Sequence, residues 1–587
     1  MGLVYEALKM EASLSFENAL DAQKSLIAQL GIGNAYLVFA MALLVEEPDL
    51  DALASAGITE GGNDKKIDFI YNDKESRRLI FAQGYYSSKN VDSAPANKAS
   101  DLNTACAWLI SGDVSVIPPK LKDIIIECRQ AISDGDIDYI DLLYVHNLPE
   151  SINVTRELQT AEEQLRKALG GDAILVKASE LGKHKIEELY AAQESHIEVQ
   201  EDVDFPSTIG IEDEGETWRA GVATVKGDWV HQVFHKYGDK LYSANYRGFL
   251  GAGRRKRVNS GIRESAEKMP GDFWAFNNGI TILTMKIVKS KVKGQEKITL
   301  KGLSVINGAQ TTGSIGSVDA TKFNLGSVKL LCRVIECSDQ DTVDKIVRFN
   351  NTQNIITTWD QFSNDSDQKR ISEEFEKIGF AYNRKRGFIG TGDQIGIEQV
   401  LQPLLAYHGR PTDAVRGKNQ LFVNKQLYEN AFSAKKARHI LFVYSLAKAI
   451  DNKRLELKEK SGQGQLIAVE ESQLALLRNL NFKPFLISVI ANSLETIVGV
   501  PCDILTTGFK PDAAKGASVT ELAARWLPVV ETFLPLLTAV VQPDTFFRNL
   551  SGDDGFLKTV KVQMDAMLSA TNAANKHSTF AGLVAPS

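Results

Sequence analysis

The sequence is short of cysteine, of uninterrupted apolar runs and of positive charge, and each shortage removes a class of function. Five cysteines in 587 residues, at positions 106, 128, 332, 337 and 502, form no CxxC pair. An odd number without a framework argues for reduced, mostly buried thiols and against a structural zinc or a disulfide scaffold. Cys332 and Cys337 bracket the strand-like Arg333-Val334-Ile335-Glu336 and read as core or edge residues. The long apolar stretch 519–541 is interrupted by Glu521, Arg525 and Glu531, so no membrane span is expected. The start, Met1-Gly2-Leu3-Val4-Tyr5-Glu6, lacks the basic residues and apolar run of a signal peptide, and cytoplasm is the expected location. A formal net charge of -7 gives no global attraction to nucleic acid, so any such binding needs a local basic patch. No internal repeat is visible. Hydrophobic and charged fractions of 43% and 24% are ordinary for a globular chain, and the length suggests about three or four domains.

What is present centres on residues 272–313, which hold two asparagine-glycine turns between apolar runs. The first is Phe273-Trp274-Ala275-Phe276-Asn277-Asn278-Gly279-Ile280; the second is Val305-Ile306-Asn307-Gly308-Ala309-Gln310-Thr311-Thr312. Asn-Gly accepts positive φ at little steric cost and is also the commonest hairpin signal. Where such a turn follows a buried strand and opens a helix, the first N–H groups point outward, as a phosphate or carboxylate requires. Gln310, Thr311 and Thr312 then offer amide and hydroxyl groups.

The same residues carry a resemblance. Trp274 to Ile280, Ile306 to Thr311 and Asn350-Asn351-Thr352-Gln353-Asn354 resemble the core of the AIPR family, proteins named for abortive infection and phage resistance. Asn245-Tyr246-Arg247-Gly248-Phe249-Leu250-Gly251 with Asn259 is similar to the segment preceding that family's Trp-containing strand. Residues 364–387, ending in Tyr382-Asn383-Arg384-Lys385-Arg386-Gly387, are similar to the segment that closes it. The resemblance spans roughly residues 230–390 and implies phage defence by abortive infection.

The first 170 residues suggest a different chemistry. Residues 6–30 and 35–44 read as helices, followed by strands at Lys66-Ile67-Asp68-Phe69-Ile70-Tyr71 and at Arg78 to Tyr86. This order resembles a restriction-endonuclease-like core, whose signature is an Asp followed by (Glu/Gln)-x-Lys. Residues two apart on a strand face one way, so in that family acid and lysine meet around a divalent ion. Here the resemblance assigns Asp68 and Gln83 as metal ligands for Mg2+ or Mn2+, with Glu17 as a further acid. Tyr85 stands at the lysine position, and a tyrosine with its usual pKa near 10 supplies no cation at neutral pH. Either Lys89 or Lys66 reaches the site, or the domain does not cut. Residues 98–109 start a helix with Ser100 or Asp101 as cap. A buried strand at 138–145 runs into His146, read as a hydrogen-bonded structural residue rather than a base. Residues 155–169 are helical, ending at Gly170-Gly171, and 179–192 are read as helix too.

Residues 198–216 hold eight carboxylates and read as a solvated boundary loop or exposed edge. Residues 229–238 form an amphipathic helix with a glycine stop. The most basic stretch follows, with Arg247, Arg254, Arg255, Lys256, Arg257 and Arg263 relieved by glycines; arginines grip phosphates bidentately. Together with Arg384 and Arg386 they would make a phosphate pocket if both clusters converge on Asn307-Gly308. The strand–Asn-Gly-x-Gln–helix order is also similar to the Asp-Gly-Gln motif of ParB-like nucleotide-binding modules, with Asn307 in place of the aspartate and Thr311 in place of an arginine. Residues 341–350 read as a helix entering the amide cluster that contains Asn351 and Gln353.

The expected fold is thus α/β (α+β). It comprises a restriction-endonuclease-like domain (1–170), a connecting acidic region (171–225), a mixed AIPR core (226–394), an all-helical domain (395–570) and a flexible tail (571–587). The expected function is anti-phage defence acting on nucleic acid, DNA or RNA, by metal-dependent phosphodiester cleavage. The alternative is a catalytically inactive sensor, or a nucleic-acid- or nucleotide-binding subunit. Homo-oligomerisation, a phage trigger protein or co-encoded partner, and no membrane contact complete the expectation.

Overall fold

Two apolar runs joined by the polar turn Lys74-Glu75-Ser76-Arg77 form an antiparallel pair, β1 (Phe69–Asp73) and β2 (Arg78–Tyr85). Asp73 fixes the turn by accepting from the N–H groups of Glu75 and Ser76 at 3.1 and 3.3 Å, as short acidic side chains do. β3 (Tyr139–His146) and β4 (Leu175–Leu181) add in parallel, giving the order β1-β2-β3-β4. The helices here are α1 (Phe16–Ala22), α2 (Lys24–Val45), α3 (Leu50–Gly57), α4 (Ala96–Ile110), α5 (Pro119–Ser133) and α6 (Ile152–Ala168). One sheet face, with Leu79, Phe81, Ile140, Leu142 and Val176, packs with apolar residues of α4, α5 and α6; α2 lies against β2 and β3. α6 is capped by Ser151, whose Oγ accepts from Val154 N–H at 3.3 Å. α4 starts at Ala96, so Ser100 and Asp101 lie inside it rather than at its cap, and the Ser100 hydroxyl donates back to Asn97 O at 2.8 Å. Residues 179–181, expected in a helix, complete β4; the helix is Lys183–Ala191.

The computed structural model describes residues 16–587 except 46, 60–66, 90, 111, 112, 114–116, 171–173, 192–196, 198, 239, 240, 243–255, 293, 352–365, 385–393, 543–553, 572 and 587. The chain divides into two units, one built from residues 1–186 and 357–587, the other from 187–356.

The second unit is a seven-stranded sheet. Its elements are β5 (Val199–Phe205), β6 (Gly210–Glu214), β7 (Trp218–Lys226), α7 (Gly227–Tyr237), α8 (Lys256–Lys268), α9 (Phe273–Phe276), β8 (Ile280–Thr284), β9 (Lys286–Val292), β10 (Gln295–Asn307), α10 (Ala309–Gly316), β11 (Lys329–Cys337) and α11 (Gln340–Asn351). The order is β5-β10-β8-β11-β7-β6, with β9 also paired to β10; β8 and β11 run parallel and the other pairs are antiparallel. The acidic segment supplies both ends of that path, and β6 is exposed along its whole length, where carboxylates discourage pairing with another chain. Ile282, Val305 and Val334 share a core with Val230 of α7 and Ile315 of α10. Leu283, Ile306 and Ile335 form a second core with Val343 and Val347 of α11. The Trp-containing segment expected to be a strand is the short helix α9. Ala275 and Phe276 N–H donate to Asp272 O at 2.9 and 3.2 Å, because the chain turns at Pro270-Gly271 and closes one helical turn before Asn277.

The rest of the first unit contains α12 (Ser366–Lys377), β12 (Ala381–Asn383), β13 (Gln394–Gly396), α13 (Ile397–Tyr407), α14 (Ala437–Gly462) and α15 (Val519–Val540), among other helices. One core runs from Ile371 to Val584, with Trp526 Nε1 donating to Phe442 O at 3.1 Å. This part is helical but not purely so: β12 pairs with β13, and Gly508–Phe509 pairs with Val584–Ala585. The expected loose tail instead forms the helix Ser578–Leu583, because Phe580 has a place in that core. Among the described residues two helices, α2 and α15, are long and apolar enough to cross a membrane by length and composition, contrary to expectation. Residues 35–43 of α2 are buried in this fold.

Candidate functional site

The two Asn-Gly turns meet. Gly308, the N-cap of α10, has φ +89°, and a Cβ there would lie 2.6 Å from Gly279 O and 2.8 Å from Ile280 Cγ2. Gly279 has φ +79° and packs as closely on Leu331 of β11. Only residues without a Cβ let three backbones approach this way. Register extends the site across the sheet, since Asn307 pairs with Thr281, and Thr281 with Arg333. Directly opposed residues share a face, so Thr281 and Arg333 lie on the face that Leu283 and Ile335 line deeper in, and Asn307 meets Thr281 across a register shift between Val305 and Asn307. The Arg333 guanidinium donates to Asn350 Oδ1 on α11, and Asn350 Nδ2 donates to Ile346 O at 2.8 Å. Burial lowers the Arg333 pKa from its ordinary value, leaving the group charged. α10 has no side-chain cap on its first N–H groups, so its positive end lies beside Asn307.

Residues 242–498 match the family model described as AIPR protein. Over that span the chain is similar to the AIPR family. No curated protein and no solved structure matches the chain.

Of the residues expected to bind phosphate within the AIPR region, Asn277 serves locally, its Nδ2 donating to Phe273 O at 3.1 Å and Ser265 Oγ at 3.3 Å. Asn278 is exposed beside the turn, and Gln310 is half-buried. Thr311 is buried, and the Thr312 hydroxyl donates to Gly308 O at 3.1 Å. Arg257 falls in α8 and Asn351 ends α11, while Arg384 follows β12 in the other unit. Arg247, Arg254, Arg255, Gln353 and Arg386 lie outside the described residues. Arg333 and Thr281 were not singled out as site residues from sequence, and Asn350 was read only as part of the Asn350–Asn354 amide cluster. Their convergence depends on strand register, which local sequence does not carry.

The N-terminal sheet lies outside the AIPR match. Asp68 and Gln83 do come together: Asp68 Oδ2 accepts from Gln83 Nε2 and, at 2.8 Å, from Gly84 N–H. Gln83 is opposite Tyr144, and Tyr144 opposite Glu180. Burial, then Tyr85, Glu180, Asp101 and Asp68, raise the Tyr144 pKa, so its hydroxyl is neutral and donates to Pro95 O at 3.2 Å. Tyr85 is half-buried on the apolar face below α4. Glu17 pairs with Lys183 at 3.1 Å. Lys89 is exposed, and Lys66 is outside the described residues. His146 is fully buried, its Nε2 3.0 Å from Glu180 Oε1 and its Nδ1 3.0 Å from Leu148 O, as a structural histidine should be.

A divalent cation needs oxygen donors aimed at one point. Two N–H donors, from Gln83 Nε2 and Gly84, face Asp68 Oδ2, and the Gln83 carbonyl oxygen is buried without a hydrogen-bond partner. Among the described residues no three His, Cys, Asp or Glu side chains are grouped to hold a metal. The Asp68 carboxylate and the Gln83 carbonyl oxygen are the kind of donors magnesium or manganese takes, but no third acidic side chain is grouped with them among the described residues.

Proposed function

We propose that this chain is a phage-defence protein of the abortive-infection type, whose AIPR region binds a phosphate-bearing ligand, nucleic acid or nucleotide, at the junction of the two Asn-Gly turns. The AIPR match supports the defence role. The binding role rests on one observation: Gly308 and Gly279 bring their turns together beside the uncapped start of α10, where Asn307 pairs with Thr281 and Thr281 with Arg333. Backbone N–H groups and a guanidinium suit phosphate oxygens. In this reading the N-terminal sheet is a restriction-endonuclease-like domain kept for assembly, with Tyr85 where the lysine would stand.

The test is fluorescence anisotropy with labelled single-stranded DNA and RNA and with a nucleoside triphosphate, beside a phage plaque assay. Arg333→Gln and Asn307→Asp each weaken binding about tenfold or more, the scale of one charge-assisted hydrogen bond, and lower protection; Asp68→Ala leaves both intact. Unchanged binding in both AIPR-region variants would sink the proposal. A second reading, phosphodiester cleavage in the N-terminal domain, is favoured by the meeting of Asp68 with Gln83. It predicts cleavage that EDTA and Asp68→Ala both abolish. In the basic segment outside the described residues, the double variant Arg254→Glu/Arg255→Glu removes protection if binding is the function and spares cleavage if it is not.

A further inference from the structure

His231 and His235 lie one turn apart on α7, and their rings converge. The Nε2 atoms are 3.1 Å apart, with ring centroids at 4.3 Å. Two metal–nitrogen bonds of about 2.1 Å meeting at roughly 90–110° put their nitrogens about 3.0–3.4 Å apart. The separation is therefore that of two imidazoles on one ion. Gly316 O, in the last turn of α10, is 3.0 Å from His235 Nε2, and the carbonyl end of a helix favours a cation.

The geometry points to a surface site for one transition-metal ion, zinc, nickel or copper, held by His231 and His235 with the Gly316 carbonyl beside it, pinning α7 to the end of α10. Imidazole nitrogens select these ions over magnesium and calcium, which want oxygen. Binding moves the ring protons that lie toward the ion onto the opposite nitrogens or into water. Nothing in the phosphate-binding proposal requires this ion. α10 is nonetheless the helix that starts at Gly308, so an ion at its far end would steady the element carrying that turn.

The experiment is isothermal titration of the tag-free full chain with ZnCl2 and separately with MgCl2, beside thermal melting. The expected result is one zinc per chain, no magnesium binding, and a higher Tm with zinc. His231→Gln and His235→Gln should each weaken zinc binding at least tenfold and cancel the Tm rise while melting like the parent without metal. Nitrogen coupling from two imidazoles in the spectrum of the Cu2+ form, halved in either variant, would identify the ligands. No zinc binding up to millimolar concentration would overturn the inference, as would unchanged affinity in the double variant.

Discussion

At Gly308 the backbone conformation and the neighbouring chain act together. A residue with φ +89° prefers to be glycine, and a Cβ would also press on Gly279 O at 2.6 Å. Gly308→Ala is expected to lower unfolding free energy by about 1–3 kcal/mol from backbone strain, more once the clash is included, measured as a lower urea midpoint. Gly313, five residues on, is the control. It is helical with nothing within 4 Å of a Cβ, so Gly313→Ala should stabilise by about 0.5–1 kcal/mol. The turns themselves were legible, because Asn-Gly announces positive φ. That one turn packs on the other was not, since a glycine needed for close approach reads the same as one needed for a turn. Arg333 was illegible for a related reason: in the sequence it is one residue of an apolar strand, and only register sets it beside Thr281 and Asn307.

Among the elements, α6 shows how far local signals reach. Its amphipathic stripe, Val154, Leu158, Ala161 and Leu165, is buried, as a helix with apolar residues three and four apart should be. The helix starts at Ile152, three residues before the expected 155, and Ser151 does two jobs there. Its Oγ caps α6, while its backbone N–H donates to Glu180 Oε1 at 3.0 Å. Ser151→Ala removes the first and keeps the second, so it should cost about 1 kcal/mol in a denaturant titration. A loss above about 3 kcal/mol would mean the cap also holds the Glu180–His146 pair in place. α9 illustrates the opposite case. Phe-Trp-Ala-Phe has strong strand propensity, yet the turn before it closes a helical loop, and Trp274 and Phe276 stay 50% and 59% exposed. Propensity lost there to backbone hydrogen bonding.

For the molecule as a whole, the first unit depends on ion pairs between residues almost four hundred positions apart. Asp49, the N-cap of α3, accepts from Lys448 Nζ at 2.8 Å and Tyr444 O–H at 3.0 Å on α14. Lys458 of the same helix donates to Ser55 O and Ile58 O at 2.8 and 2.7 Å. Asp49→Ala removes one of the two carboxylates on the buried Lys448 cation, with Asp51 remaining beside it, and leaves the Tyr444 O–H without its acceptor, so it should destabilise by about 1–3 kcal/mol. Burial pushes the Asp49 carboxyl up, but Lys448 and Lys483 outweigh it and hold it at about 2. Because this folded value lies below an unfolded one near 3.9, the contribution is complete above about pH 4 and is lost as pH falls through 2. It is worth on the order of 2 kcal/mol. Parent and Asp49→Asn urea midpoints should therefore converge on acidification; a gap unchanged between pH 6 and pH 2.5 would contradict the assignment.

What the sequence determined alone was everything governed by neighbours in the chain: helix stripes, strand runs, Asn-Gly turns and the motifs of the AIPR resemblance. Tertiary structure decided which of these meet, because strand register, the joining of residues 1–186 with 357–587, and the pairing of Asp49 with Lys448 rest on contacts between distant residues. Those contacts are selected by burying apolar faces and matching charges, and they leave no local periodicity to read.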